Sequence, residues 1–215
     1  MLVLHYRGLP RLTSLTGKHK MQRHQIGGVF FALAATVLLS LATFSTPFSS
    51  HIYFIRALES FGQIRFGGFG WCNLATAECE GPVLGYGFGG GQVTVWLTGA
   101  EVTIGIAAIF SLFATIAIAL DTLFRSSYAL QNPLWFRAFA VFASLFSILA
   151  FVFSAVLWYD TRVKFVRSGI EAKYGPALWI LLGGTIAAAL SLCAGGPRFT
   201  GRHLYRANNE ASYTV

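Results

Sequence analysis

Cysteine offers the widest choice of chemistry in this sequence, because a thiolate can act as a nucleophile, bind a metal or form a disulfide. The chain contains three cysteines, at positions 72, 79 and 193. Their spacing matches neither a CxxC redox pair nor a zinc-binding pattern. Cys72 and Cys79 leave two alternatives open, a disulfide and two free thiols. Cys193 stands apart, and we favour a small packing residue there over a palmitoylated one.

The ionisable residues do not assemble a catalytic centre. Four of the five histidines lie near the chain ends, at positions 5, 19, 24 and 203, and His51 has no obvious partner. The glycine-rich run between positions 62 and 91 lacks the GxxxxGK[ST] pattern of a phosphate-binding loop. Glu101, Asp160 and Arg162 lie at the ends of long apolar stretches, where we expect interfacial anchoring or a local salt bridge. We therefore predict no catalytic residue, metal or cofactor.

Four apolar stretches dominate the sequence and must position these residues. Hydrophobic residues make up 55% of the chain and charged residues only 11%, against about 25% charged in an ordinary soluble domain. The uncharged stretches cover residues 26–45, 102–120, 138–158 and 176–196. Each has about the 20 residues that a helix needs to cross a bilayer. Trp96, Trp135, Trp158 and Trp179 fall near their ends, as interfacial indole rings do.

The lysine and arginine distribution predicts the orientation. The segment 1–25 carries five basic residues and no acidic one, whereas the long loop 46–101 carries only Arg56 and Arg65. The positive-inside rule then places both termini in the cytosol, with 1–25 and 197–215 as tails and 46–101 outside. The basic loop 159–175 argues the other way. The N-terminal segment also overlaps in composition with a mitochondrial presequence, although we favour a cytosolic tail.

The external loop is the most informative region. Its glycines and aromatic residues predict a small curved antiparallel sheet rather than a disordered loop, and Gln92–Leu97 is typical of a strand. Disulfides persist in the oxidising surroundings outside the cell, which favours a bond between Cys72 and Cys79 in this external loop. Such a bond would contribute about 2–3 kcal/mol.

Small residues spaced four apart predict close helix packing. In the fourth stretch these are Gly183 with Ala187 and Gly184 with Ala188. They fit either a bundle within one chain or a homo-oligomer. The net charge of +8 is scattered over tails and loops, which favours contact with membrane lipids over nucleic acid.

The order of several short motifs resembles the fungal PalI-like and Sur-type tetraspan membrane proteins, which are claudin-like in architecture. The likeness extends over residues 27–196 of the sequence. Its motifs are a run ending in Trp71 and Cys72, then Cys79, then Leu84, Gly85 and Tyr86; Leu97–Thr98 followed by Ile104–Ala108; and Asp160, Arg162, Gly169, Ala172, Gly175 and Ala177–Trp179. Glu101 departs from the pattern, where we expect an apolar or small residue.

This resemblance implies an all-α membrane protein, a four-transmembrane-helix bundle with a small extracellular β-sheet formed by the first external loop. It further implies a non-enzymatic plasma-membrane protein that assists a pH-sensing receptor or organises membrane domains and the cell wall. Its expected partner is another integral membrane protein. The alternatives are an auxiliary or pore-forming transport subunit and, less favoured, a small lipid-directed enzyme.

Overall fold

The computed structural model of the chain describes residues 22–59, 62–123 and 133–194. The helices in these ranges are α1 (Gln22–Thr43), α2 (Val95–Ala100), α3 (Val102–Leu123), α4 (Pro133–Arg167) and α5 (Pro176–Ala194). The strands are β1 (Ile55–Glu59), β2 (Gly62–Phe66), β3 (Trp71–Asn73), β4 (Cys79–Glu80) and β5 (Glu171–Tyr174). The predicted tails 1–25 and 197–215 lie outside the described residues, apart from positions 22–25 at the start of α1.

The four long helices form a bundle in which α1 packs against α3 and α5, and α4 packs against the same two helices. Three helical segments are long and apolar enough to cross a membrane, namely Val95–Leu120, Trp135–Arg167 and Pro176–Ala194. The apolar stretch described for α1, Gly27–Thr43, is shorter. The bundle interior is lined by small side chains such as Ala35, Ala107 and Ala140, each fully buried. Close approach through small residues is how helices gain packing energy in lipid.

A five-stranded antiparallel sheet lies at one end of the bundle, in the order β4-β3-β2-β1-β5. Alternate residues of each strand point to the same side. On the side that faces the bundle, the apolar residues of the three strands β1, β2 and β5 are Ile55, Ala57, Ile64, Phe66, Ala172 and Tyr174. The predicted fold class, a four-helix bundle with a small sheet, is confirmed. The sheet also takes a fifth strand, β5, from the loop after α4, which the sequence did not predict.

One predicted strand is wrong. Gln92–Leu97 forms only an isolated bridge, between Val93 and Phe88, and the chain turns into α2 at Val95. The helical turn buries Leu97 and Thr98 where α2 packs on α4. Strand propensity in so short a segment yields to tertiary packing of this kind.

The helix α4 continues to Arg167, beyond the predicted limit at Trp158. Its additional turns pack beneath the sheet, where Phe165 is buried. Trp158 is fully buried rather than at the membrane interface, so that expectation is corrected. The other three predicted anchors are largely exposed: Trp96, Trp135 and Trp179.

Candidate functional site

The junction between the sheet and the bundle contains the residues that the sequence motifs single out. Its base is a set of aromatic rings from different elements. Phe54, just before β1, stacks on Trp158 of α4 with ring centroids 5.5 Å apart. Phe66 of β2 packs against Trp158 and Phe165, and Phe88 packs on Phe66 at 5.1 Å. Because these rings join loop, strand and helix, the sheet is held on α4 by aromatic burial.

The predicted disulfide is present. Cys72 in β3 and Cys79 in β4 are directly opposite in the register and are bonded. Beside them, Trp71 donates its indole N–H to the Oε2 of Glu80 at 2.7 Å. Its ring also meets Phe88 edge-on at 5.1 Å. The disulfide therefore closes the β3–β4 turn, while Trp71 joins that turn to the aromatic base.

The Leu84-Gly85-Tyr86 segment anchors the loop through its last residue. Tyr86 is buried and donates its hydroxyl to the carbonyl of Gly67 at 2.5 Å. Thr98 of α2 donates to the carbonyl of Tyr86 at 2.7 Å. Burial raises the pKa of the Tyr86 phenol well above its ordinary value. Gly85 adopts a φ of +74° that favours glycine, and Leu84 is exposed.

Glu101 lies between α2 and α3 and is 1% exposed. Its Oε2 accepts a hydrogen bond from the hydroxyl of Ser154 on α4 at 3.0 Å. Its Oε1 is buried without a hydrogen-bond partner. The indole N–H of Trp158 lies nearby but does not meet the geometry of a hydrogen bond. No described basic residue forms an ion pair with Glu101, so the expected interfacial anchor or salt bridge is corrected to a buried carboxyl group.

Asp160 and Arg162, the other predicted boundary residues, lie near the sheet. Asp160 forms an ion pair with Lys164, one helical turn later, at 2.7 Å. Arg162 donates to the carbonyl of Ala172 in β5 at 3.4 Å, and its guanidinium lies 5.0 Å from the Tyr174 ring centroid. Arg162 therefore links α4 to the edge strand, a role that no sequence signal indicated.

The predicted packing residues of α5 contact α1. A Cβ atom added at Gly184 would lie 3.1 Å from side-chain atoms of Leu39, whereas one at Gly183 would only touch Leu38 at 3.6 Å. Ala187 and Ala188 form a buried cluster with Ala35 of α1. These small residues serve packing within one chain, the first of the two alternatives.

Hydroxyl groups make two separate sets of contacts between helices, which no sequence pattern predicted. The Oγ1 of Thr36 on α1 lies 3.0 Å from Ser111 Oγ and 2.9 Å from Thr115 Oγ1 on α3. Between α5 and α4, Thr185 donates to the carbonyl of Ser147 at 3.2 Å. Single serines and threonines are common in membrane helices, so sequence alone does not reveal such partners.

The described residues of the junction make structural contacts. Within the described ranges, no three histidine, cysteine or acidic side chains are placed to hold a metal ion. Cys193 is exposed and outside any disulfide. The chemistry of this junction is therefore a set of aromatic contacts, one disulfide and buried hydrogen bonds that fix the sheet to the helices.

Comparison with known proteins identifies one relationship. A family model described as the SUR7/PalI family matches residues 24–191. The matched range includes the whole sheet and the four long helices, apart from the first two residues of α1 and the last three of α5. No curated protein matches the chain.

Proposed function

The chain belongs to the SUR7/PalI family, and from that membership we propose that it is a non-enzymatic accessory or organising protein of the plasma membrane. It acts by helix contacts within the bilayer and by its disulfide-stapled sheet outside it. The observation that carries this proposal is the exposed apolar surface on the outside of the helix bundle. Each long helix exposes large apolar side chains on its outer side, among them Val37, Leu112, Leu149 and Ile186. Such surfaces fit lipid or another membrane helix.

The proposed orientation has both termini in the cytosol and the sheet outside. The basic N-terminal segment supports it through the positive-inside rule. The bond between Cys72 and Cys79 supports it independently, because disulfides persist in oxidising surroundings and are rare in the cytosol.

The proposed partner is another integral membrane protein, a pH-sensing receptor or a component of a membrane-domain or cell-wall complex. A transport role would need a polar path through the bundle. The hydroxyl groups between α1 and α3 instead bond to one another and to backbone carbonyls, as Thr36 does with Ser111 and with the carbonyl of Ala32. These contacts support an accessory role over conduction.

The test is photo-crosslinking in native membranes. A photoreactive amino acid replaces Val37, Leu112, Leu149 or Ile186, one on each long helix, all with about half of the side chain exposed. After irradiation the chain is purified in a mild detergent. We expect one polytopic membrane protein, near-stoichiometric with the chain, crosslinked from one or two of the four helices.

The four positions control for one another because their exposure is similar. Weak adducts to many proteins from all four positions, or only lipid adducts, would contradict an accessory role with a defined partner. Ion flux through liposomes that contain the purified chain alone would instead favour the transport alternative.

A further inference from the structure

Three basic residues stand side by side across the outer face of the sheet. In the strand register, Arg56 of β1 is directly opposite Arg65 of β2 and directly opposite Lys173 of β5. Directly opposite residues of antiparallel strands point to the same face, and neighbouring strands lie about 4.8 Å apart. The three side chains therefore form a basic row, Lys173–Arg56–Arg65, about 10 Å long.

The basic row faces away from the bundle. Residues of the preceding and following rows, such as Ile55 and Ala57, are fully buried on the inner face. Arg56 and its two neighbours alternate with them and so lie on the opposite face. The row is thus directed towards the space beyond the sheet rather than towards the lipid around the helices.

The positive charge of the row is only partly compensated. Lys173 pairs with Glu171 at 2.5 Å, and the pKa of Glu171 is lowered by that hydrogen bond and by the nearby positive charges. Arg65 donates to the carbonyl of Ser50, and its guanidinium lies 4.9 Å from the Tyr53 ring centroid. The side chain of Arg56 makes no hydrogen bond or ion pair with another described residue. Like charges directly opposite on neighbouring strands are destabilising, so this arrangement has a cost unless an anion binds.

Two donors on the same face have no hydrogen-bond partner among the described residues. The Nε2 of Gln63 and the Nε of Arg65 are buried and have no hydrogen-bond partner. The two residues are two positions apart in β2, so both belong to the outer face. Buried donors without acceptors are rare in folded proteins, and each requires an explanation.

We propose that the basic row binds a phosphate-type oxyanion at Arg56, between Lys173 and Arg65. The planar fork of an arginine matches the oxygens of such a group, and a lysine adds a point charge beside it. Spacing argues against an acidic peptide, because an extended chain presents same-side residues about 6.6 Å apart, whereas neighbouring members of the basic row are attached to strands about 4.8 Å apart. Since the row faces away from the bundle, the oxyanion comes from the outside medium or from a phosphorylated surface polymer. This inference rests on the proposed orientation, with the sheet outside, and not on the proposed accessory role.

The experiment measures binding of inorganic tripolyphosphate to the full chain in nanodiscs made of neutral lipid. We expect saturable binding by calorimetry and a higher unfolding temperature in its presence, because a ligand that binds only the folded state stabilises it. Arg56→Gln should weaken the affinity by tenfold or more. Arg167→Gln, which removes the same charge from the exposed end of α4 outside the basic row, should leave the affinity unchanged.

A second readout separates binding from a structural role. Without ligand, Arg56→Gln should unfold at the same temperature as the wild type or higher, because it relieves like-charge repulsion. A clear decrease would overturn the proposal, as would absence of binding to the wild type or equal losses in the two variants. Binding that appears only in nanodiscs with anionic lipid would assign the site to lipid headgroups and overturn the assignment to an outside oxyanion.

Discussion

Glu101 is held inside the protein by one good hydrogen bond, from Ser154, and by no described cation. An amide in its place can still accept that hydrogen bond, so Glu101→Gln should cost no more than about 1 kcal/mol. Glu101→Lys places a positive charge in a buried site without a partner and should cost several kcal/mol. Thermal unfolding in detergent measures both variants.

The exposed pair at Asp160 provides the control. Asp160→Lys makes the same change in charge, but its ion pair with Lys164 is more than a third exposed on both sides. Exposed pairs contribute about 0–1 kcal/mol, so this variant should remain close to the wild type. If Glu101→Gln proved as damaging as Glu101→Lys, the site would require a negative charge, and an unrecognised cation would have to neutralise it.

The position of Glu101 was predictable from the sequence, but its surroundings were not. Its place at the end of an apolar stretch is visible in the residue order. Its burial depends on Ser154 and Trp158 of α4, which are more than 50 positions later in the sequence and come close only in the folded chain. The prediction that Trp158 lies at the membrane interface was wrong for the same reason. The sequence near the end of a helix does not show whether lipid headgroups or a sheet will cover a tryptophan there.

At the scale of elements, the loop after α1 meets the sheet through a close contact at Gly67. A Cβ atom added there would overlap the carbonyl oxygen of Thr46, which is a backbone atom and cannot rotate away as a side chain could. Gly68 is its natural control, because the nearest atom to an added Cβ is 3.7 Å away. Gly67→Ala should therefore cost about 2–3 kcal/mol, as overpacked sites do, and Gly68→Ala less than about 1 kcal/mol.

The two alanine variants are compared by their unfolding temperatures in detergent and by the yield of folded protein. Gly67→Ala should also weaken the hydrogen bond that the Gly67 carbonyl accepts from Tyr86. Equal behaviour of the two variants would mean that the loop can move away from the sheet, and the junction would then be less rigid than its contacts indicate.

The long helices could be predicted from the sequence, whereas the sheet could be predicted only in part and α2 was not predicted. Long uncharged stretches predict membrane helices well, because lipid leaves the backbone few other choices. The sheet depends on distant pairing. β5 contains two exposed charged residues in four positions and is a strand only because β1 pairs with it. The short segment after Gln92 became a helix because α4 was there to bury Leu97.

At the scale of the whole molecule, the number of helices between two positions decides which side of the membrane each occupies. Leu58 is half exposed on the outer face of the sheet, and Cys193 is exposed at the end of α5. Three helical segments separate them, the same three that are long and apolar enough to cross a bilayer. An odd number of crossings places Leu58 and Cys193 on opposite sides of the membrane. This holds whether or not α1 crosses the membrane, because α1 precedes both residues.

The three cysteines make this prediction measurable, because Cys72 and Cys79 are bonded to each other and Cys193 is a free thiol. A membrane-impermeant maleimide should label the wild type only after the cells are permeabilised. In a Cys193→Ser background, Leu58→Cys should react in intact cells, and Cys193→Ser alone should not react. Reversed labelling would put the sheet in the cytosol, where its disulfide would be exposed to reduction. Labelling of both sites from outside would mean that one of α3, α4 and α5 does not cross the membrane.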